Sequence, residues 1–295
     1  MDDVELRMKL SDLGGPEALA NCIIKHFPEI EIPIPLSRIA EAVGIIDIIS
    51  QKTDAFEGVL VTDSSKTKGS IAYNESSRPQ RRRFTIAHEL GHFLLPLHGA
   101  NAQCAKADMS IGQVTSKDSN RAREAEANLF AASLLMPKAM FLSAIRRLGA
   151  PEVGHIVKLA DDYGVSKEAC VHRYTDLCDD PCAVIFSRYG IVRYICKTKT
   201  FPFIDLRKDQ PLPRQSISAQ MKYESGQTSD QTETIPEIWT NDCRRLRDKV
   251  LYEQFLDQTD GYRLSMLTID GALEDDDDPD EDEEMEESWV PRFRR

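Results

Sequence analysis

The segment 81–95, RRRFTIAHELGHFLL, contains no helix breaker except Gly91 before Pro96 is reached, so it predicts one continuous helix ending near Leu95. His88 and His92 lie four residues apart on it. That spacing brings both imidazoles to one face, one turn apart, where two ring nitrogens can hold a single ion. Glu89 follows the first histidine, about 100° further round the helix. From there it can take a proton from an ion-activated water without entering the coordination shell. Zinc lowers the pKa of its water to about 7, so the pattern points to metal-assisted hydrolysis at neutral pH. The bland alternative is a helix with two surface histidines.

A catalytic zinc takes three protein ligands, and two residues compete for the third place. His98 falls six residues after His92, the spacing of the HExxHxxGxxH pattern, but Leu95 stands where that pattern needs a glycine to turn the chain back. Glu124 is the rival and the stronger candidate. With Ala127, Asn128, Ala131 and Leu135 it forms a single stripe on a helix expected over 121–136. A carboxylate on a stripe of small and apolar residues needs a partner, and a metal ion supplies one. Asn128, one turn beyond, is placed to hydrogen-bond a ligating side chain. Glu126 is expected to point away and to be solvated.

The chain as a whole reads as α+β. Helices are expected from Pro16 to about Lys25 and around Leu36, Ile39, Ala40 and Val43, followed by β-like runs at 58–61 (GVLV) and 69–74 (GSIAYN). Residues 99–118 read as a long polar loop. Helical pairs over 138–177 include 155–174, which looks like a helix-turn-helix with Gly164 at the turn. Its second helix carries no Lys/Arg stripe, so direct nucleic-acid binding is not expected. The runs AVIFS and GIVRYICKT and a helix around 242–256 make up a small C-terminal α/β module. This gives a first domain over 1–178 with the helix-turn-helix-like part at 150–178, a regulatory or docking module over 179–273, and an acidic tail over 274–295.

That tail explains the net charge of −12, since residues 274–287 hold 12 of the 49 acidic residues and the remaining 37 balance 37 Lys and Arg. A block of like charges repels itself, so the tail is expected to be disordered. No run of roughly eighteen apolar residues occurs, and the N-terminal MDDVELRMKL lacks the basic and apolar regions of a signal peptide. Seven cysteines without framework spacing fit reduced thiols. Cys178 and Cys182 read as ordinary buried thiols rather than a zinc site. Together these lead to the expectation of a cytoplasmic protein with no membrane association.

RRRFTIAHELGHFLL followed by REAEANLFAASLLMP resembles the ImmA/IrrE family of metallo-endopeptidases over roughly residues 35–177. The resemblance implies a gluzincin-like zincin core, a small mixed sheet with the HExxH helix and a ligand helix. It implies His88, His92 and Glu124 as ligands of one Zn2+ per chain, with Mn2+ as the alternative ion, and Glu89 as base. The implied substrate is a protein, a helix-turn-helix repressor of the Xre type cleaved in a stress or mobile-element response. GSIAYN resembles the edge strand along which zincins lay an extended peptide, and Tyr73 on it is a candidate substrate or oxyanion contact. The competing function is a non-catalytic regulator that binds DNA or a partner on a zincin scaffold.

Overall fold

The structure, a computed structural model, describes residues 3–98, 101–104, 119–240, 246 and 249–270. In chain order the elements are α1 (Asp3–Ser11), α2 (Pro16–His26), α3 (Leu36–Val43), β1 (Ile45–Gln51), β2 (Gly58–Thr62), β3 (Gly69–Asn74), α4 (Pro79–Leu94), β4 (Asn101–Cys104) and α5 (Ser119–Leu135). They continue as α6 (Lys138–Leu148), α7 (Val153–Tyr163), α8 (Lys167–Leu177), β5 (Cys182–Arg188), β6 (Ile191–Lys197), α9 (Ile217–Gln220), β7 (Thr232–Thr234), β8 (Leu251–Asp257) and β9 (Tyr262–Ile269). Two compact units result. Of the described residues, one comprises Asp3–Phe141 with Ala160–Ala169, the other Leu142–Leu159 with Cys170–Asp270. Helices of the 138–177 region thus contribute to both. Among the described residues, no single helix is long and apolar enough to cross a membrane.

In the first unit the helix boundaries follow local chemistry. Pro16 opens α2 and Pro79 opens α4, where the missing N–H costs nothing. α3 stops at Gly44, whose φ of 112° is open to glycine and strained for other residues, and a Cβ there would lie 2.6 Å from the Thr67 carbonyl oxygen. α4 closes with the Leu95 N–H on the Gly91 carbonyl, immediately before Pro96.

Four strands form a mixed sheet in the order β1-β3-β2-β4. β1 runs parallel to β3 with Ile48 opposite Ile71, while β2 is antiparallel to β3 and to β4. α4 packs on β2 and β3, and α5 packs against both α4 and α2. Leu60 and Ile71 are wholly buried, whereas Val61, whose side chain alternates to the other face, is exposed. Burying each such aliphatic side chain contributes about 1.5–3 kcal/mol. Gly91 lets α4 and α5 approach, since a Cβ there would lie 3.1 Å from Phe130 Cδ1 and 3.2 Å from the Ala127 backbone.

Three sequence expectations change here. β3 is a central strand, paired on both sides, so GSIAYN is not an edge on which a peptide can be laid. The unforeseen β1, whose sequence IIDIISQ is apolar without strict alternation, takes the side that had been left open. A strand, β4, also forms inside the expected loop 99–118, where pairing to β2 supplies hydrogen bonds that polar composition alone does not foretell.

The second unit holds an antiparallel sheet in the order β6-β5-β9-β8-β7. Its core gathers Ile185, Val192, Phe201, Trp239, Leu251 and Leu267. Tyr189 (φ 50°) and Gly190 (φ 76°) make the tight turn between β5 and β6 with both residues left-handed. The helix expected around 242–256 is replaced over 251–257 by β8, where Leu251, Glu253 and Phe255 are buried and Tyr252 and Gln254 only partly so. That period of two overrides helix propensity once β9 offers a partner along the whole strand. α8 exposes Asp176 and buries Cys170, Val171, Tyr174 and Leu177. Cys178 and Cys182 are buried free thiols. The acidic tail lies outside the described residues.

Candidate metal centre

α4 presents His88 and His92 toward α5, and both side chains are withdrawn from solvent. Their Nε2 atoms stand 3.0 Å apart. Glu124, on the first half of α5, completes the group with Oε2 3.2 Å from His88 Nε2 and Oε1 3.4 Å from His92 Nε2. Among the described residues these three form the cluster able to hold a metal, with all ligand atoms within 4.8 Å of one another. The stripe predicted on α5 is realised, with Ala127, Asn128, Ala131 and Leu135 buried and Glu124 partly so.

The hydrogen bonds behind the histidines bear on whether these residues suit a cation. Asn128 Oδ1 lies 2.9 Å from His88 Nδ1 and accepts its proton, which leaves the lone pair on His88 Nε2 facing Glu124. His92 Nδ1 lies 2.8 Å from His98 Nδ1. The Nε2 atoms of two imidazoles and the oxygens of a carboxylate thus converge inside the protein, an arrangement that a positive charge at its centre satisfies. The residues fit a divalent ion.

Electrostatics reflect the same crowding. Burial disfavours the charged form of His88, but the hydrogen bond to Glu124, the Glu89 charge and Asn128 outweigh it and raise its pKa above the usual histidine value. Burial pushes His92 down to about 4 despite the pull of Glu124. Burial works against the charged form of Glu124, but the two histidines hold its carboxyl at about 2.

Glu89 is fully buried beside the ligands, beneath β2. A Cβ on Gly58 would collide with Glu89 Oε1 and with Thr85 Cγ2, so the bare backbone of β2 makes the space its carboxylate occupies. Tyr73 is half-buried on β3 directly opposite Gly58, one strand from that carboxylate. An isolated glycine in a strand signals close approach of another group, and Gly58 could have been marked on that ground.

His98 takes neither the ligand place nor the solvent. It sits behind His92, away from the convergent group, and its Nε2 lies 3.0 Å from Glu126 Oε2. Glu126, expected to be solvated, is half-exposed and bound to His98, because the chain after α4 folds back across α5. Lys66 secures that return. Its Nζ donates to the carbonyl oxygens of His92 (2.7 Å), Leu95 (2.9 Å) and His98 (3.2 Å), satisfying the open end of α4. Burial draws its ammonium down to about 8. Lys66 itself has φ 52°, a conformation costing about 1–2 kcal/mol for a residue with a side chain. Asp63 organises this turn by accepting from the Thr67 and Lys68 backbone N–H groups and from the Ser65 and Thr67 hydroxyls. Nothing local in the sequence signals the role of Lys66.

Comparison with known proteins adds to this geometry. Residues 41–175, which span α4, α5 and the whole ligand set, match the family model of a peptidase group described as the IrrE N-terminal-like domain. A solved structure described as a Mycobacterium tuberculosis transcriptional regulator is similar at 14% identity, covering 90% of this chain and 76% of that one, with a TM-score of 0.46. No curated protein matches.

Proposed function

Because residues 41–175 match the peptidase family model described as the IrrE N-terminal-like domain, we propose that the chain is a zinc-dependent endopeptidase acting on a protein. The observation that carries this reading is the buried convergence of His88, His92 and Glu124 with Glu89 alongside. His88, His92 and Glu124 would hold the ion, and two imidazoles with one carboxylate suit zinc. When bound, the ion supplies Lewis acidity toward the scissile carbonyl and its attacking water. Glu89 takes the proton from that water on a carboxylate oxygen and returns it to the departing amine nitrogen. Gly58 leaves Glu89 room to do so. Tyr73 is the candidate for contacting the substrate carbonyl as its oxygen becomes negative. By family resemblance the substrate is a helix-turn-helix repressor of the Xre type, cut in a stress or mobile-element response.

Glu89→Gln removes the base and leaves the ligands in place, so cleavage of such a repressor should fall about 10²–10⁴-fold while metal content stays near one per chain. Gel analysis of the repressor, with elemental analysis of the same protein, checks both. Unchanged cleavage in that variant sinks the mechanism. Absence of cleavage by the zinc-loaded wild type across candidate repressors favours the non-catalytic regulator instead.

A further inference from the structure

The two histidines of the centre are one turn apart on the same helix, yet they are supported by different means. Asn128 holds His88 directly. Behind His92 stands a second histidine, whose far nitrogen meets a carboxylate. We propose that His98 and Glu126 are positioning residues that lock His92 in the tautomer whose Nε2 is bare and aimed at the metal, an inference that rests on the metal-site reading above.

With His98 neutral and Glu126 ionised, proton bookkeeping along the chain gives one arrangement. An ionised carboxylate only accepts, so the 3.0 Å contact to Glu126 Oε2 requires the proton of His98 to sit on Nε2. A neutral His98 is then bare at Nδ1. Across the 2.8 Å contact that atom can only accept, so His92 donates from Nδ1–H. The remaining nitrogen of His92, Nε2, therefore keeps its lone pair, 3.0 Å from His88 Nε2 and 3.4 Å from Glu124 Oε1. The pair thereby favours the His92 tautomer protonated on Nδ1.

The fold takes trouble to place His98. Its side chain is almost wholly buried although its neighbour Leu97 is exposed, and the turn that carries it is closed by the His98 N–H on the Leu95 carbonyl. Lys66, in a left-handed conformation, ties the carbonyls at both ends of the stretch from His92 to His98. A strained residue that bonds the carbonyl of a ligand and that of its support marks a geometry the site requires. α5 then carries the ligand Glu124 and the supports of both histidines, Asn128 directly and Glu126 through His98.

The test is zinc affinity of the full-length chain, read by competition with a chromophoric chelator, for wild type, His98→Leu, His98→Gln, Glu126→Ala and Glu124→Ala, with a thermal melt of each. Loss of an outer partner of a ligating histidine weakens metal binding by about 10–100-fold, so His98→Leu, which keeps the volume and loses both hydrogen bonds, should show that loss. His98→Gln can accept from His92 and donate to Glu126, and should regain most of the affinity. Glu126→Ala should weaken binding less than His98→Leu and, being half-exposed, should fold normally. In the zinc-loaded wild type, long-range proton–nitrogen NMR correlations should show the His92 proton on Nδ1. His98→Leu or Glu126→Ala binding zinc as tightly as wild type overturns the proposal, as does a His92 proton elsewhere. If His98→Leu does not fold, Glu126→Ala and the NMR signature decide. Wild type binding zinc no better than Glu124→Ala overturns the metal site itself, a separate failure.

Discussion

Both units bury acidic residues, but they do so in opposite ways. Glu253, in the sheet of the second unit, has no solvent exposure and accepts hydrogen bonds from the backbone N–H groups of Ser218 (2.8 Å) and Ile217 (3.1 Å) at the start of α9. Acceptor meets donor, and the arrangement is complete within the protein. At the centre of the first unit, Glu124 faces the Nε2 atoms of two histidines whose Nδ1 atoms are engaged elsewhere, so only a cation or a shared proton can join the three. A buried carboxylate satisfied by donors is architecture, whereas one facing other lone pairs calls for a cation.

The sharpest way to break this contrast is to remove each carboxylate in turn. Glu124→Ala should reduce zinc occupancy from about one per chain to a small fraction, because a catalytic zinc site rarely survives with two protein ligands. Elemental analysis after desalting measures it, and full occupancy would show that another residue closes the site. Glu253→Ala should leave zinc content unchanged. It strands two backbone donors in the core and should lower stability by about 1–3 kcal/mol in denaturant unfolding. A loss of zinc in that variant would end the distinction between the two kinds of burial.

The smallest effect concerns Asp63, which shapes the turn presenting Lys66. The Thr67 hydroxyl, the Lys68 backbone N–H and the Ser65 hydroxyl lower its pKa from 3.8 to about 2. A carboxyl whose pKa is depressed on folding contributes stability that is present above the unfolded pKa and is lost as pH falls toward the folded one. The melting-temperature difference between wild type and Asp63→Ala, both metal-free, should therefore be constant above pH 5 and shrink below pH 4. A difference independent of pH would mean that the turn is held by something other than the Asp63 charge.

Periodicity and breakers made much of the first unit legible. α2, α3, α4 and α5 lie close to where apolar spacing and the prolines at 16, 96 and 137 place them. Gly164, with φ 63°, makes the turn between α7 and α8. Strands were less legible. IIDIISQ and LYEQFLD became β1 and β8 because partners were available to pair with them, and pairing is a property of chain segments far apart in sequence. The misplaced edge strand followed from the missed β1.

By itself, the sequence determined that His88, Glu89 and His92 share one helix, since a spacing of four residues and a pitch of 3.6 leave no other outcome once the helix forms. It also narrowed the third ligand to a carboxylate on a second helix or a histidine after the first, and could take the choice no further than the stripe that favours Glu124. Only the tertiary structure brought Glu124 to both Nε2 atoms and sent His98 behind His92. That result depends on the closeness of α4 and α5, permitted at Gly91, and on the turn after Leu95, pinned by Lys66 from a hairpin some thirty residues earlier. Contacts across such separations are set by how whole elements pack, and residue spacing along one chain segment carries no record of them.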